Sequence, residues 1–484
     1  MNATGRKQEP VPRLWAVFGA VIAGYFLVMF AVAPVSVILP SLAQELHARL
    51  EAASWVMTAY LLPLTALLLG AGRLADLYGH RRLFTLGLAV TTLATLACGL
   101  APSLPALLAG RVAQGTGAAL MSATSLAIIT SAAPPAWRGR AIGVVTMSSA
   151  LAAMLGTALA SLFVTYLSWR WAFASAAPVG AVALVLALRM GADRPVERQS
   201  RPDWAGTLLL IGALTALSLS LSHFHDGPET FEAGWPYHST MHLLTALLLA
   251  LFIWVERRTS QPLVRLDQLR NGLFVSAVGA NCILHMTMLM AVFSTPFLIE
   301  RGLGLPAAQT GTLLAVVQLS NTAMTLLSGW LHDRTRTSLL RPLAIGTVAI
   351  GLLTLGLTGA ATSYPTFFAV SLLMGCGSGL FMTSNNTVIM SALPRSYTGF
   401  ASGMLETTRQ LGHTLGVVVA TAGLSVIGTV SGEAQQAAFI TGFQRACLLM
   451  GTIALAGAVL AAVPPRRPHR QPVPSPALAD ALVQ

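Results

Sequence analysis

The chain repeats itself. Gly115, Gly117, Leu120, Pro134, Gly139 and Gly143 recur about 260 positions later as Gly375, Gly377, Leu380, Pro394, Gly399 and Gly403. A second echo links Gly72-Arg73-Leu74-Ala75-Asp76 with Gly329-Trp330-Leu331-His332-Asp333. Both echoes lie among long apolar segments. Two halves of one membrane-embedded chain therefore read as copies of a single helical unit, and the fold must build that unit twice.

Composition agrees. Of 484 residues, 55% are hydrophobic and 10% charged, and the mean hydropathy is +0.70. A soluble domain carries about 25% charged residues, so too few charges are present to cover a water-facing surface. The first apolar run is too long for a cleaved signal peptide and no A-x-A site ends it, so it reads as a retained span. A membrane helix needs roughly 20 apolar residues. Spans are predicted near 14–39, 53–73, 83–101, 104–132, 139–166, 169–189, 204–222, 237–256, 271–298, 306–331, 340–361, 364–392, 398–425 and 440–463, about fourteen in all. The two-residue gap Pro102-Ser103 is short enough to force antiparallel neighbours.

Charge orients the spans. Arg6, Lys7, Arg13, Arg73, Arg81, Arg82, Arg138, Arg140, Arg257, Arg258, Arg341, Arg395, Arg466 and Arg467 fall on one side, and little beyond Arg49, Arg170 and Arg301 falls on the other. The positive-inside rule makes the rich side cytoplasmic, with both termini there. The asymmetry accounts for the net charge of +12. A nucleic-acid partner is not expected, because the basic residues are scattered over short loops. A single lysine among many arginines suggests a GC-rich bacterial source, hence a multi-pass protein of the inner membrane.

A six-span repeat within fourteen spans leaves two over. The echoes pair span 2 with 10, 4 with 12 and 5 with 13, so spans 7 and 8 sit between the copies. The expected organisation is a cytoplasmic N-terminus (1–13), an N-terminal six-helix bundle (14–190), a linker carrying spans 7 and 8 (191–270), a C-terminal six-helix bundle (271–463) and a disordered, Pro/Arg-rich cytoplasmic tail (464–484).

Specific motifs sit on this frame. The loop after span 2, Gly72-Arg73-Leu74-Ala75-Asp76-Leu77-Tyr78-Gly79-His80-Arg81-Arg82, fits the pattern G-x-L-a-D-r-x-G-r-r. Arg111-Val112-Ala113-Gln114-Gly115-Thr116-Gly117 opens span 4, Ser168-Trp169-Arg170-Trp171-Ala172-Phe173 opens span 6, and Arg409-Gln410-Leu411-Gly412 lies in span 13. With these motifs the chain resembles the fourteen-span drug/proton antiporters of the major facilitator superfamily. The resemblance implies an all-α major facilitator fold, two pseudo-symmetric six-helix bundles plus two extra central helices. It also implies a central cavity built from spans 1, 4, 5, 9, 12 and 13.

The resemblance implies a cytoplasmic gate at Gly72, Asp76, Gly79, Arg81 and Arg82, with Asp333 as the echo of Asp76. Gly72 would let a neighbouring helix approach closely, and Asp76 could face a helix N-terminus. The plain alternative is that Arg81 and Arg82 only set topology. Arg111 lies about 10 Å inside span 4 by helical rise, and ionisable groups at that depth are costly and usually functional. The resemblance gives it a role in proton transfer or substrate contact; the alternative is snorkelling to the outer interface.

Glu406 is the deepest acid, about 12 Å from the cytoplasmic end of span 13. A desolvated carboxyl there can exchange protons, as coupling to a proton gradient requires. Arg409, three residues on, shares its helix face, so a static ion pair is the competing reading. His285 in span 9 is a candidate relay or an ordinary hydrogen-bonded core histidine. Gln114, Asn281, Asn321, Asn385 and Asn386 are candidate cavity linings, each also able to serve as a helix-packing hydrogen bond. Gly115, Gly156, Gly375, Gly412 and Gly416 are candidate packing glycines.

Two of the family's motifs are altered here. Alignment on Leu39-Pro40 puts Ala31 where the span 1 aspartate belongs and Ser36 where the asparagine belongs, and Thr157 stands at the span 5 proline. Both losses weaken antiport and tilt the expected substrate towards neutral or amphipathic compounds. Cys98, Cys282, Cys376 and Cys447 stand singly, without metal or disulfide spacing. With no phosphate loop and no hydrolase motif, neither ATP-driven transport nor an enzyme is expected. No cofactor and no metal are expected, the proton gradient being the energy source. The sequence thus predicts a proton-coupled exporter of hydrophobic or amphipathic small molecules, a monomer in the bilayer, with a periplasmic adaptor left open. Two alternatives stand: a dedicated exporter or flippase of one lipid or metabolite, and a non-transporting sensor or scaffold on the same fold.

Overall fold

The computed structural model describes residues 11–48, 50–133, 137–191, 203–221, 228–259, 262, 264, 267–335, 339–358, 363–394, 397–425 and 433–463. The expected tail, 464–484, and residues 1–10 lie outside the described residues. Sixteen α-helices are formed among the described residues. They are α1 (Val11–Phe30), α2 (Ala33–Glu45), α3 (Leu50–Tyr78), α4 (His80–Gly99), α5 (Leu104–Ala132), α6 (Arg138–Tyr166), α7 (Arg170–Ala174), α8 (Ala177–Leu188), α9 (Trp204–Leu221), α10 (Pro228–Arg258), α11 (Gly272–Pro296), α12 (Ala307–Thr335), α13 (Leu340–Thr358), α14 (Tyr364–Ser391), α15 (Thr398–Ser425) and α16 (Glu433–Ala461). Two predicted spans are each broken in two, span 1 into α1 and α2 and span 6 into α7 and α8, which is how fourteen spans become sixteen helices.

Eleven described segments are long and apolar enough to cross a membrane, and shorter apolar stretches run through α3 (Ala52–Leu68) and α9 (Trp204–Leu217). The remaining predicted span is α15, whose Glu406, Arg409 and His413 dilute its hydropathy. It is nonetheless a helix of 28 residues, long enough to span by rise alone. Packing holds it there, against α11, α3 and α16.

Span 1 breaks for a local reason. Pro34 lacks an N–H, so the carbonyl of Phe30 loses its helical donor. The N–H of Val35 turns to Val32 O at 3.2 Å, which releases the carbonyl of Ala31 as well. A freed carbonyl inside the bilayer needs another donor, and the next subsection identifies it.

The sequence echo reappears as an echo in packing. A Cβ added at Gly115 would lie 2.2 Å from the carbonyl oxygen of Tyr60, so α5 presses on α3; one added at Gly375 would lie 2.5 Å from Val317 O, so α14 presses on α12. Two residues further, on the opposite side of each helix, Gly117 meets Gly87 O at 2.6 Å on α4, and Gly377 meets Ala344 O at 2.7 Å on α13. The third pair follows suit: Gly156 of α6 abuts Pro34 of span 1, and Gly416 of α15 abuts Met286 of α11, with Gly412 against Cys282 O. Without a hydrophobic force between helices in lipid, such close backbone approach is what holds them together. The duplicated glycines are therefore the duplicated joints of two equivalent helix sets.

Between the sets, α3 packs on α15 and α6 on α12. α9 leans on both α3 and α15, while α10 packs on α9. Thr207 of α9 fits where Gly70 of α3 has no side chain, 3.0 Å from the position of an added Cβ.

Gly72 corrects an expectation. It lies inside α3, which continues to Tyr78, and an added Cβ would meet nothing within 4 Å among the described residues. No neighbour makes the close approach predicted for it. The two glycines give a direct test of the packing account. Gly115→Ala should lower unfolding stability by about 1–3 kcal/mol, the usual cost of overpacking, whereas Gly72→Ala, inside a helix with open space at the added Cβ, should leave it equal or raise it by up to about 1 kcal/mol. Thermal unfolding of the two variants in detergent reads the difference.

Candidate functional site: two polar networks at the seam between the helix sets

The seam is closed at one end. The hydroxyl of Ser161, near the C-terminal end of α6, donates to Ala307 O at 3.0 Å at the start of α12. Gly311, a turn into α12, abuts the same serine. At mid-height the hydroxyls of Thr65 on α3 and Thr414 on α15 meet at 3.3 Å.

In the two turns of α15 that precede Thr414 lies a chain of polar side chains. Glu406 Oε1 accepts from Arg409 Nη2 at 2.5 Å and from Gln410 Nε2 at 2.8 Å. Gln410 Oε1 lies 3.3 Å from His413 Nδ1. His413 Nε2 lies 3.1 Å from Nδ1 of His285 on α11. Helical spacing makes this possible: residues 406, 409, 410 and 413 lie at i, i+3, i+4 and i+7, one stripe of a helix. The stripe ends at His285 Nε2, which is buried and has no hydrogen-bond partner among the described residues. Chemically the Gln410 amide joins the carboxylate to the imidazole by hydrogen bonds and orients both without itself taking up or releasing a proton, so proton exchange is confined to the carboxylate and to the imidazole pair. The His413–His285 contact needs one N–H and one bare nitrogen, so the pair carries a proton between them and cannot keep its bond with two.

Glu406 and Arg409 are an ion pair, the competing reading of the sequence, but not a sealed one. Their side chains are 19% and 20% exposed, so the pair opens onto accessible space.

The facing network centres on Arg111. It is completely buried, so it does not snorkel to an interface. Its Nη1 donates to Ala31 O at 2.9 Å, the carbonyl freed by the break in span 1, and its Nε donates to Val56 O at 2.8 Å. Nη1 also reaches Gln114 Oε1 at 2.6 Å, and Gln114 Nε2 donates to Thr95 Oγ1 at 2.7 Å. The guanidinium lies over the ring of Tyr60, 4.4 Å from its centroid, an arrangement favoured by the ring quadrupole. One group thus joins α1/α2, α3, α4 and α5. Nη2 remains without a partner among the described residues.

Tyr60 connects the two networks. It stacks on Arg111 from one side and lies within electrostatic reach of Glu406 and Arg409 on the other. Tyr25 of α1 has the same two charged neighbours. The two sets of helices therefore meet at a tyrosine-lined boundary between a buried cation and a half-open ion pair.

Several predicted cavity residues are used otherwise. Asn281 donates to Leu405 O and Thr408 Oγ1, both at 3.0 Å, and joins α11 to α15. Asn385 donates to Ala277 O at 3.0 Å and accepts from Arg341 Nε at 3.1 Å. Asn321 reaches Ser378 Oγ at 2.5 Å. Gln114, Asn281 and Asn385 are 0–2% exposed. These four are corrected from cavity lining to helix-joining groups, because a side-chain amide in an apolar bundle takes the nearest backbone or hydroxyl partner. Asn386 is half-buried.

At the expected gate, Gly79 adopts φ +101°, a conformation that favours glycine, and turns the chain from α3 into α4. Arg81 donates to the carbonyl of Met190, tying the start of α4 to the end of span 6. The side chains of Asp76 and Asp333 lie outside the described residues. Sequence reasoning missed Gln410, His413, Tyr60 and Tyr25. The i, i+3, i+4, i+7 stripe was readable for the first two; nothing local distinguishes the tyrosines from ordinary core residues.

A family model described as Major Facilitator Superfamily matches residues 21–417. The chain is 32% identical over 403 residues to the multidrug resistance protein Stp of Mycobacterium tuberculosis, covering 82% of this chain and 73% of that protein. It is 32% identical to the cephamycin export protein CmcT of Amycolatopsis lactamdurans, with 98% of each covered. In fold it is similar to a solved bacterial homolog of the human lysosomal transporter Spinster, at TM-score 0.65 and 16% identity, covering 94% of this chain and 97% of that one.

The Arg111 geometry makes a prediction independent of transport. Arg111→Leu strands two buried carbonyls, each costing about 1–3 kcal/mol. The variant should lose thermal stability in detergent even without substrate. A stability equal to wild type would show that those contacts are not holding span 1 at its break.

Proposed function

The chain belongs to the Major Facilitator Superfamily, and from that premise we propose that it is a proton-coupled exporter of hydrophobic or amphipathic small molecules, working by alternating access in a bacterial inner membrane. The observation that carries this reading is the half-open carboxylate of Glu406, placed mid-membrane at the seam and followed by Gln410, His413 and His285. A group that only stabilised the helix would be served by its partner Arg409 alone.

The geometry supports the following working cycle. With the arginine-rich ends taken as cytoplasmic, the Ser161–Ala307 contact lies at the periplasmic ends of α6 and α12. That contact joins the two sets on the outer side, which supports a resting state closed to the periplasm. Substrate enters between the helix sets at the partly exposed Tyr25 and the Glu406–Arg409 pair. Rocking about the mid-height Thr65–Thr414 contact would then break the outer closure and present the site to the periplasm. A proton arriving there neutralises Glu406, releases Arg409 from its counter-charge, and so lowers the attraction that holds the empty site. Ala31, in place of the family's span 1 aspartate, leaves this α15 carboxylate as the acid available for the exchange. Multidrug efflux fits the similarity to Stp.

A second reading has its own support. The similarity to a cephamycin export protein runs over nearly the whole of both chains, which favours export of one dedicated compound by the same mechanism. A panel of unrelated dyes against single metabolites separates the two.

In energised everted vesicles, wild type should release protons when a transported compound is added, and Glu406→Gln should abolish that release while retaining folding. Coupled flux at wild-type rate in Glu406→Gln would reject the coupling role.

A further inference from the structure

At one end of the α9–α10 pair the charges are sorted by side. Glu256 of α10 is buried. Its Oε2 accepts from Val264 N at 3.0 Å, and its Oε1 turns to Gly206 of α9, 2.8 Å from the position of an added Cβ. Asp203 is buried too; it accepts from Gly206 N at 2.8 Å, and its Oδ2 lies 2.6 Å from the same Cβ position. Both acids are thus taken up between the two helices. Arg257 and Arg258, the next residues of α10, are exposed, and neither is in an ion pair among the described residues. With the arginine-rich ends taken as cytoplasmic, this pair turns its acids inward and its arginines towards the inner membrane surface.

The apolar part of the same helix is also open. α10 is the least enclosed candidate span, with only 11% of its apolar window buried. Leu243, Leu247, Leu251 and Trp254 are exposed along it, and their i, i+4, i+8, i+11 spacing puts them on one face. Arg258, one turn beyond Trp254, continues that face, and its guanidinium lies over the indole, 4.3 Å from the ring centroid. The stacking holds a long side chain in place where it would otherwise be free. From Leu243 to Trp254 the helix rises about 16 Å, about half of the roughly 30 Å hydrocarbon core, which is the depth of one leaflet. Arg170 gives the contrast: it too stacks on an indole, that of Trp169, but it is paired with Glu45. Arg258 keeps its charge for a partner outside the chain.

We propose that this face of α10 binds an anionic phospholipid of the inner leaflet, with its phosphate on Arg258 and the neighbouring Arg257 and an acyl chain along Leu251, Leu247 and Leu243. A guanidinium offers phosphate two parallel N–H donors, and an indole settles at headgroup level. A leaflet-deep apolar stripe that ends on a fixed cation matches a molecule with one chain of that length and one negative charge. A soluble anion would use the arginines and leave the stripe unoccupied. α10 packs on α9, and α9 on α3 and α15, so a lipid held here bears through α9 on both helix sets. The site is separate from the Glu406 chain and stands whether or not the protein exchanges protons for drugs.

Native mass spectrometry of the full chain, released from detergent micelles after titration with phosphatidylglycerol or phosphatidylcholine of matched chains, reads the binding. Wild type should retain phosphatidylglycerol about fivefold or more over phosphatidylcholine. Arg257→Gln/Arg258→Gln should lose about fivefold or more of that retention, with phosphatidylcholine unchanged and the same elution profile on size exclusion. Arg189→Gln, which removes an exposed arginine at the end of span 6, should bind as wild type does. Equal retention of the two lipids by wild type, or undiminished phosphatidylglycerol on the double variant, would overturn the proposal. An equal loss in Arg189→Gln would overturn it in favour of diffuse attraction to the basic side. Excess inorganic phosphate should leave the lipid in place; displacement by phosphate alone would overturn a lipid as the occupant.

Discussion

Inside a bilayer there is no water to satisfy a stray carbonyl or charge, and the rest of this structure follows from how that is met. Pro34 breaks span 1 and frees the carbonyl of Ala31; the guanidinium of Arg111 takes it, and in doing so joins four segments around one cation. A lysine could not do this, since one ammonium lacks the planar fork that reaches Ala31, Val56 and Gln114 together. Arg111 is thus a structural group first. Its guanidinium also stacks on Tyr60, whose hydroxyl donates to Val28 O.

The opposite set meets the same constraint differently. Where Arg111 is fully enclosed, Glu406 and Arg409 keep about a fifth of their side-chain surface accessible. Full enclosure suits a permanent joint; partial access suits a group whose charge changes. The two copies of the duplicated unit thus differ in how far their buried charges are enclosed.

The fold was largely legible in the sequence because its determinants are local and repeated. Apolar length marks the spans, and the duplicated Gly115/Gly375 and Gly117/Gly377 mark joints that a glance at periodicity can pair. Span 13 is the instructive case. Its polar residues lower its hydropathy, yet the same residues show why it must be enclosed by protein. The site was legible only in part. Glu406, Arg409, Arg111 and His285 stand out as charges or titratable groups in apolar spans. Their partners are set by which helices meet across the seam, and no spacing within one helix reveals that. Gln114, Asn281, Asn321 and Asn385 take the second of the two roles the sequence leaves open: a carbonyl or hydroxyl on a neighbouring helix holds each of them, and the sequence alone does not place that partner. Gly72 shows that a motif glycine need not be a contact glycine.

The central claim is that Glu406 changes its protonation state as the helix sets exchange access. Infrared difference spectroscopy on reconstituted protein reads this directly, comparing substrate-free and substrate-saturated states in wild type and Glu406→Gln. The account predicts a carboxylate-to-carboxyl difference band in wild type that is missing from the variant. A transporting wild-type protein whose difference spectrum matches that of Glu406→Gln in the carboxyl region would contradict it.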